Sequence, residues 1–209
     1  MRLASEGYPF IAGFAALSIA AFLFGNVWLA ILPLLLTGFM LWFFRDPERR
    51  APEGNSLFVA PADGRVIVVQ SIREDRYLHA DAIMISIFMS PLDVHVNRAP
   101  CDGTVEAVEH TAGKFLKAFE PEAALENERI AMVLATPMGR IVVTQVAGAV
   151  ARRCVCRAQT GQQLRKGERY GIIKFSSRVD VYLPVDCKVA VSLGQSVVAG
   201  ETILAKRDE

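Results

Sequence analysis

The sequence predicts a β-rich protein, all-β or α+β, in which an apolar helical hairpin precedes a compact domain of short strands. Two observations carry this expectation. The residues from Tyr8 to Phe44 include no Lys, Arg, Asp or Glu. Much of the 52% hydrophobic content and the mean hydropathy of +0.30 is concentrated in that run, which points to a membrane segment rather than a greasy core. From Phe58 onward, apolar residues recur in short or alternating runs broken by turn residues, the pattern of strands and tight turns.

Gly25-Asn26 divides the first run into two apolar halves of about 16 to 18 residues, close to the minimum for crossing a bilayer. Arg2 precedes the first half, and Arg45, Arg49 and Arg50 follow the second. Cationic flanks mark the cytoplasmic side, so both ends are expected there, with Gly25-Asn26 at the far turn. A single long tilted helix and a shallow re-entrant hairpin are the alternatives. A cleavable signal peptide fits poorly, because the run is too long and no clear cleavage site follows it. Phe43-Phe44-Arg45-Asp46-Pro47 marks the exit, with aromatic and cationic interfacial anchors. Residues 1–50 are therefore expected to anchor the chain in a membrane and 51–209 to form the working domain, with 51–57 as a short linker.

In that domain, Ala60-Pro61-Ala62-Asp63-Gly64 is a turn feeding a strand through Val69, with Gly64 expected at positive φ. Ile83 to Met89 is a buried strand ended by Ser90-Pro91. Asp93 to Arg98 alternates, placing Asp93, His95 and Asn97 on one face. Asp102-Gly103 turns into a strand over 104–108, and Lys114 to Leu125 is the one helix-like piece. Ile130 to Thr136 and Arg140 to Val146 form a hairpin around Pro137-Met138-Gly139. Short strands follow near 151–156 and 171–175, and period-two alternation predicts another from Arg178 through Val179, Val181 and Leu183. At the C-terminus, Gly194, Val197, Gly200 and Ile203 space short turns and strands in a way that resembles the sandwiched barrels of biotinyl and lipoyl domains.

Composition excludes some partners. A net charge of +1 and the lack of a basic cluster argue against nucleic acid. The four cysteines (Cys101, Cys154, Cys156, Cys187) show no paired Cys-x-x-Cys spacing, and with three scattered histidines no metal site is expected. Reduced thiols are the preferred reading.

The chemistry centres on Ser176-Ser177, at a strand-to-strand junction where a bent backbone can store strain. A serine hydroxyl pressed against the preceding carbonyl can shift the peptide to an ester. β-Elimination then cuts the chain and leaves a group that hydrolyses to pyruvoyl, an electron sink for an amine substrate. An ordinary polar turn is the plain alternative for two adjacent serines.

Phe175-Ser176-Ser177-Arg178-Val179-Asp180 resembles the cleavage segment of the short prokaryotic phosphatidylserine decarboxylases, which read Gly where this chain has Ser176. Further matches run in order: Phe-Phe-Arg-Asp-Pro at 43–47, Ala-Pro-Ala-Asp-Gly at 60–64, Ser-Ile-Phe-Met-Ser-Pro-Leu-Asp-Val-His-Val-Asn-Arg-Ala-Pro at 86–100, Gly-Lys-Phe at 113–115 and Asn-Glu-Arg at 127–129. The resemblance implies a pyruvoyl-dependent zymogen of phospholipid biosynthesis, cut between Ser176 and Ser177 into a β chain (1–176) and an α chain (177–209). Ser177 would carry the pyruvoyl group and form a Schiff base with phosphatidylserine, yielding phosphatidylethanolamine. His95 is implied as general acid/base, since imidazole titrates near working pH, and Asp63 as the carboxylate of self-cleavage. Long-form members carry a second histidine where this chain has Arg98, so a full Asp-His-Ser triad is not transferred. His110, Lys114, Asn127 and Arg129 would bind the lipid head group, because phosphate and carboxylate call for cationic donors; solvated surface charge is the alternative for each, and His79 is read as surface. The partners implied are the lipid, the cytoplasmic face of the inner membrane and the protein's own cleaved chains, with a homodimer also allowed.

Two rivals stand beside this. An anchored lipoyl-like barrel also describes membrane adaptors and carriers, although no Met-Lys-Met-type turn is present. Serine at 176 equally suits an uncleaved, inactive homologue with a lipid-binding role.

Overall fold

The computed structural model describes residues 2–120, 123–149, 153–174 and 177–207. The chain divides into two compact units, Met1–Glu48 and Arg49–Glu209.

The first unit is a helical hairpin. Helix α1 (Tyr8–Leu23) has proline in its first turn, where the missing N–H breaks no helical bond. The chain turns at Gly25 (φ +77°), and the Asn26 side chain caps α2 (Val27–Phe43) by accepting from the Leu29 amide at 3.1 Å. Ser18 Oγ donates to the Ala30 carbonyl across the pair at 2.9 Å, and Leu3 bridges Arg45 at the open end. Phe44 stacks on Phe10, and the Arg45 guanidinium lies over Trp42. Leu17, Phe22, Leu23, Phe24, Trp28, Leu32 and Leu35 face outward. The 19 residues Ser5–Leu23 are long and apolar enough to cross a membrane, while Val27–Phe43 is apolar but shorter.

The second unit is built almost wholly of strands. Among the described residues these are β1 (Leu57–Val59), β2 (Gly64–Glu74), β3 (Ala80–Met89), β4 (Val96–Arg98), β5 (Gly103–Thr111), β6 (Arg129–Thr136) and β7 (Gly139–Ala147). After them come β8 (Cys154–Cys156), β9 (Gln163–Leu164), β10 (Arg169–Ile173), β11 (Ser177–Pro184), β12 (Lys188–Val189), β13 (Ser196–Val197) and β14 (Ile203–Lys206). One short helix, α3 (Ala123–Glu126), interrupts them. The main sheet curls and runs in the order β13-β2-β3-β11-β7-β6-β5-β9, and two three-stranded sheets, β1-β14-β12 and β4-β10-β8, complete the unit.

Alternation decides which face each side chain takes. Val179, Val181 and Leu183 of β11 enter the main core with Ile85, Ile87 and Met89 of β3 and with Ile130, Met132 and Leu134 of β6. Burying each such side chain contributes about 1.5–3 kcal/mol. The intervening Ala131, Val133 and Val142 pack on the other face with Tyr77, Leu78 and Tyr182. β11 pairs with β3 on one side and β7 on the other, so it lies inside the sheet.

Three local expectations change. The helix expected over 114–125 shrinks to Ala123–Glu126, because 114–116 are held extended against Asn127. The loop between β6 and β7 is Pro137-Met138 alone, since Gly139 already pairs with Thr136. Asp93–Arg98 yields a strand only from Val96, and both of its faces are buried.

Candidate active site

The sheet order brings the predicted site residues to one end. β3 leaves the sheet at Met89, β11 enters it at Ser177 and β7 leaves it at Ala147, and these three residues stand side by side in register. On the far side of β3, Gly64 and Arg65 begin β2, directly after Asp63. A Cβ on Gly64 (φ +150°) would sit 2.1 Å from the Phe88 carbonyl oxygen, so this close approach requires glycine, as the turn chemistry predicted.

Ser177 is fully buried and shares the core face of β11 with Val179. Its hydroxyl donates to Met89 Sδ at 3.4 Å. Asn97 Nδ2 reaches the same sulfur at 3.8 Å, while Asn97 Oδ1 accepts from Gln145 Nε2 at 2.7 Å. Gln145 Nε2 also points to the Val155 carbonyl at 3.3 Å, and its buried Oε1 has no hydrogen-bond partner among the described residues. Met89, Asn97 and Gln145 thus form a polar thread through an otherwise apolar core beside Ser177. The sequence hinted at it in one lone amide within Ile141–Ala147, a signal read only as strand. Ser176 lies outside the described residues.

His95 is wholly buried, two residues before Asn97. Its Nδ1 lies 2.9 Å from the Asp93 carbonyl oxygen. A carbonyl only accepts, so the neutral ring carries its proton on Nδ1 and keeps the lone pair on Nε2. Asp93 fixes the turn before it: the Ser90 amide donates to Asp93 Oδ2 at 2.7 Å. Asp63 accepts from Arg49 Nη2 at 2.9 Å and from the Ala199 amide at 2.7 Å. Its loop is tied to the His95 segment through the Arg98 amide, which donates to the Pro61 carbonyl.

The four proposed head-group residues separate. The side chain of His110 is half exposed, with Nε2 3.4 Å from Glu128 Oε1. Lys114 pairs with Glu126 at 2.8 Å, and this neighbour raises its pKa. Arg129 lies on the opposite face from Ile130, lining a cavity of about 110 Å³ with Glu74, Arg76, Tyr77, Thr144 and Tyr182. Asn127 is fully buried. Its oxygen accepts from the Leu116 amide, and its nitrogen donates to the Leu116 and Ala147 carbonyls. That amide therefore holds a loop beside Ser177 and is committed to backbone.

On the reverse face of β11, Arg178 Nε donates to Asp180 Oδ1 at 2.6 Å and Nη2 to Ser86 Oγ at 2.9 Å, all three residues being buried. In the sequence this pair shows only as the polar half of an alternation. No cluster of three or more His, Cys, Asp or Glu suited to a metal ion occurs among the described residues. Cys101, Cys154, Cys156 and Cys187 are free thiols.

Comparison with known proteins decides the family. The family model described as phosphatidylserine decarboxylase matches residues 36–205. The chain belongs to the phosphatidylserine decarboxylase family. It is 48% identical to the phosphatidylserine decarboxylase proenzyme of Pelobacter propionicus, over 98% of this chain and 96% of that one. It is also 45% identical to the protein of that name from Cupriavidus taiwanensis (99% and 96% covered) and 47% identical to that from Citrifermentans bemidjiense (97% and 95%). Within a decarboxylase of this family, the buried end of the sheet at Met89, Ser177 and Ala147 is the candidate active site.

Proposed function

We propose that the chain is a self-cleaving, pyruvoyl-dependent decarboxylase that converts phosphatidylserine to phosphatidylethanolamine. The observation that carries this is the placement of Ser177: a buried hydroxyl at the first residue of an internal strand, whose hydrogen bond among the described residues runs to a thioether at 3.4 Å. A thioether is a weak acceptor, so little holds that hydroxyl away from the preceding carbonyl.

Ser177 Oγ attacks the carbonyl carbon of residue 176, and the C–N bond breaks as the nitrogen takes the proton. Loss of the Ser177 α-proton and rupture of its Cβ–O bond then release residue 176 as a carboxylate. Water replaces the nitrogen of the remaining unsaturated residue, ammonia leaves, and a pyruvoyl group caps chain 177–209. Asp63, paired with Arg49, is the proposed carboxylate for this self-cleavage. The surroundings fit the group: Met89 and Ala147 flank position 177 with apolar atoms, and Asn97 offers an amide donor.

Once formed, the ketone supplies an electrophile for the substrate amine and a sink for the electron pair freed as carbon dioxide departs. His95, anchored through Nδ1, takes a proton from water at Nε2 and passes it to the substrate carbon. His110 and Lys114 at the same end of the sheet are the proposed head-group cations, with Arg129 on its reverse face. The hairpin anchors the enzyme in the inner membrane, with Arg2, Arg45, Arg49 and Arg50 on the cytoplasmic side.

An intact-mass spectrum of the purified full-length protein tests the reading. Two chains are expected, the smaller matching 177–209 with an N-terminal pyruvoyl group. A single chain that Ser176→Gly also fails to cleave would sink the mechanism and favour an uncleaved homologue.

A further inference from the structure

Most large apolar side chains of the strand-rich unit are buried. Among its described residues the exposed ones are Leu92, Phe115, Phe119, Val185 and Leu193, and three of these five lie on two loops at the Ser177 end of the main sheet. Leu92 (66% exposed) is carried on the turn that follows Met89, closed by the Asp93 amide donating to the Ser90 carbonyl. Phe119 (55% exposed) stands edge-on to Phe88 at 5.9 Å, and Phe88 is the register partner of Arg178. Phe115 precedes Leu116, which Asn127 clamps and thereby ties to Ala147, the β7 partner of Ser177. Two loops, one leaving β3 and one anchored on β7, thus flank the first residue of β11, and both present apolar side chains to solvent.

We propose that Leu92, Phe115 and Phe119 form an apolar lip that inserts into the interface of an anionic phospholipid bilayer and seats Ser177 at head-group depth. This rests on the decarboxylase reading for its purpose. A two-chained lipid cannot readily leave the bilayer, because every methylene of its chains exposed to water is unfavourable. Its head group must therefore be met where it lies. The rim carries a cation for that partner: Lys117 Nζ lies 6.0 Å from the Phe119 ring, and Lys114, next to Phe115, is paired with Glu126. A cation beside an exposed aromatic is the pairing found at membrane interfaces. The lip is separate from the hairpin, whose apolar surface belongs to the other compact unit.

The test uses full-length protein in which Trp28→Phe and Trp42→Phe remove both native tryptophans, and Phe119→Trp supplies one reporter. The protein is bound to vesicles of phosphatidylcholine and phosphatidylglycerol brominated along their acyl chains. Emission from position 119 should be strongly quenched. A reporter introduced by Val185→Trp, at the far end of β11, should keep its emission. An unquenched indole at 119 on fully vesicle-bound protein overturns the proposal; if its emission is nevertheless blue-shifted, a protein surface covers the patch instead. This readout needs no turnover, so quenching at 119 in a protein that releases no carbon dioxide would count against the enzyme reading and leave the lip standing. In an active enzyme, Leu92→Ser with Phe119→Ser should raise the half-saturating surface concentration of vesicle-borne phosphatidylserine about tenfold. Turnover of a short-chain, water-soluble phosphatidylserine should stay unchanged, and equal losses on both substrates would oppose the lip.

Discussion

At Ser177 the hydroxyl donates to a sulfur, and a stronger hydrogen bond runs farther out, from Gln145 to Asn97. Asn97→Ala would leave the Gln145 amide with only the longer contact to Val155. A buried donor that loses its acceptor costs about 1–3 kcal/mol, so the unfolding free energy should fall by up to about that amount and the yield of two-chain protein should fall. His95 separates the two reactions differently. With Asp63 assigned to cleavage, His95→Asn should still give two chains on a gel, while carbon dioxide release drops by about a hundredfold to ten-thousandfold. Processing lost together with turnover would assign His95 to both steps. Ser177, His95 and Asp63 were singled out in the sequence, as candidates, through their neighbours. The Met89–Asn97–Gln145 thread was not, because its members come from three strands that only the sheet and its neighbour bring together.

Strand β11 carries its site residue on one face and a buried ion pair on the other. Removing one member of such a pair strands the other charge and costs about 3–5 kcal/mol. Asp180→Ala should therefore destabilise the protein by about that much. Replacing both residues, as Arg178→Met with Asp180→Leu, should recover most of the loss in thermal unfolding, since a packed apolar pair avoids the desolvation penalty. The period-two pattern of Val179, Val181 and Leu183 identified this strand correctly. The segment 114–125 shows the opposite case. Its composition suits a helix, but the buried Asn127 side chain takes both backbone groups of Leu116, and that tertiary clamp outweighs a weak local propensity.

For the whole molecule, buried thiols set an alkaline limit. Burial pushes the Cys101 thiol from the ordinary 9.0 up to about 12, and Cys154 is raised further by burial and by Glu128. A thiol that holds its proton more tightly when folded favours the fold fully below the unfolded value. That contribution is lost as pH climbs through the folded one. Melting temperature should therefore decline steadily above about pH 9, and Cys101→Ala should flatten part of that decline. The hairpin predicts a second bulk property. Ser5–Leu23, at about 1.5 Å per residue, reaches close to the roughly 30 Å of a hydrocarbon core. The protein should remain in the membrane pellet after an alkaline carbonate wash; release into the supernatant would argue for a peripheral association.

Local chemistry alone determined a good part of this protein. The apolar hairpin with its Gly25-Asn26 turn, the β-rich body, the positive φ of Gly64 and the family of the chain all follow from patterns within a few residues, because periodicity and turn chemistry act at short range. The tertiary structure decided what depends on pairing between distant segments. It set Ser177 between Met89 and Ala147, turned Arg129 and His110 to opposite faces of one sheet, spent Asn127 on the backbone and gathered three exposed apolar side chains beside the site. Strand order and register settle those placements, and neither is written in any single stretch of sequence.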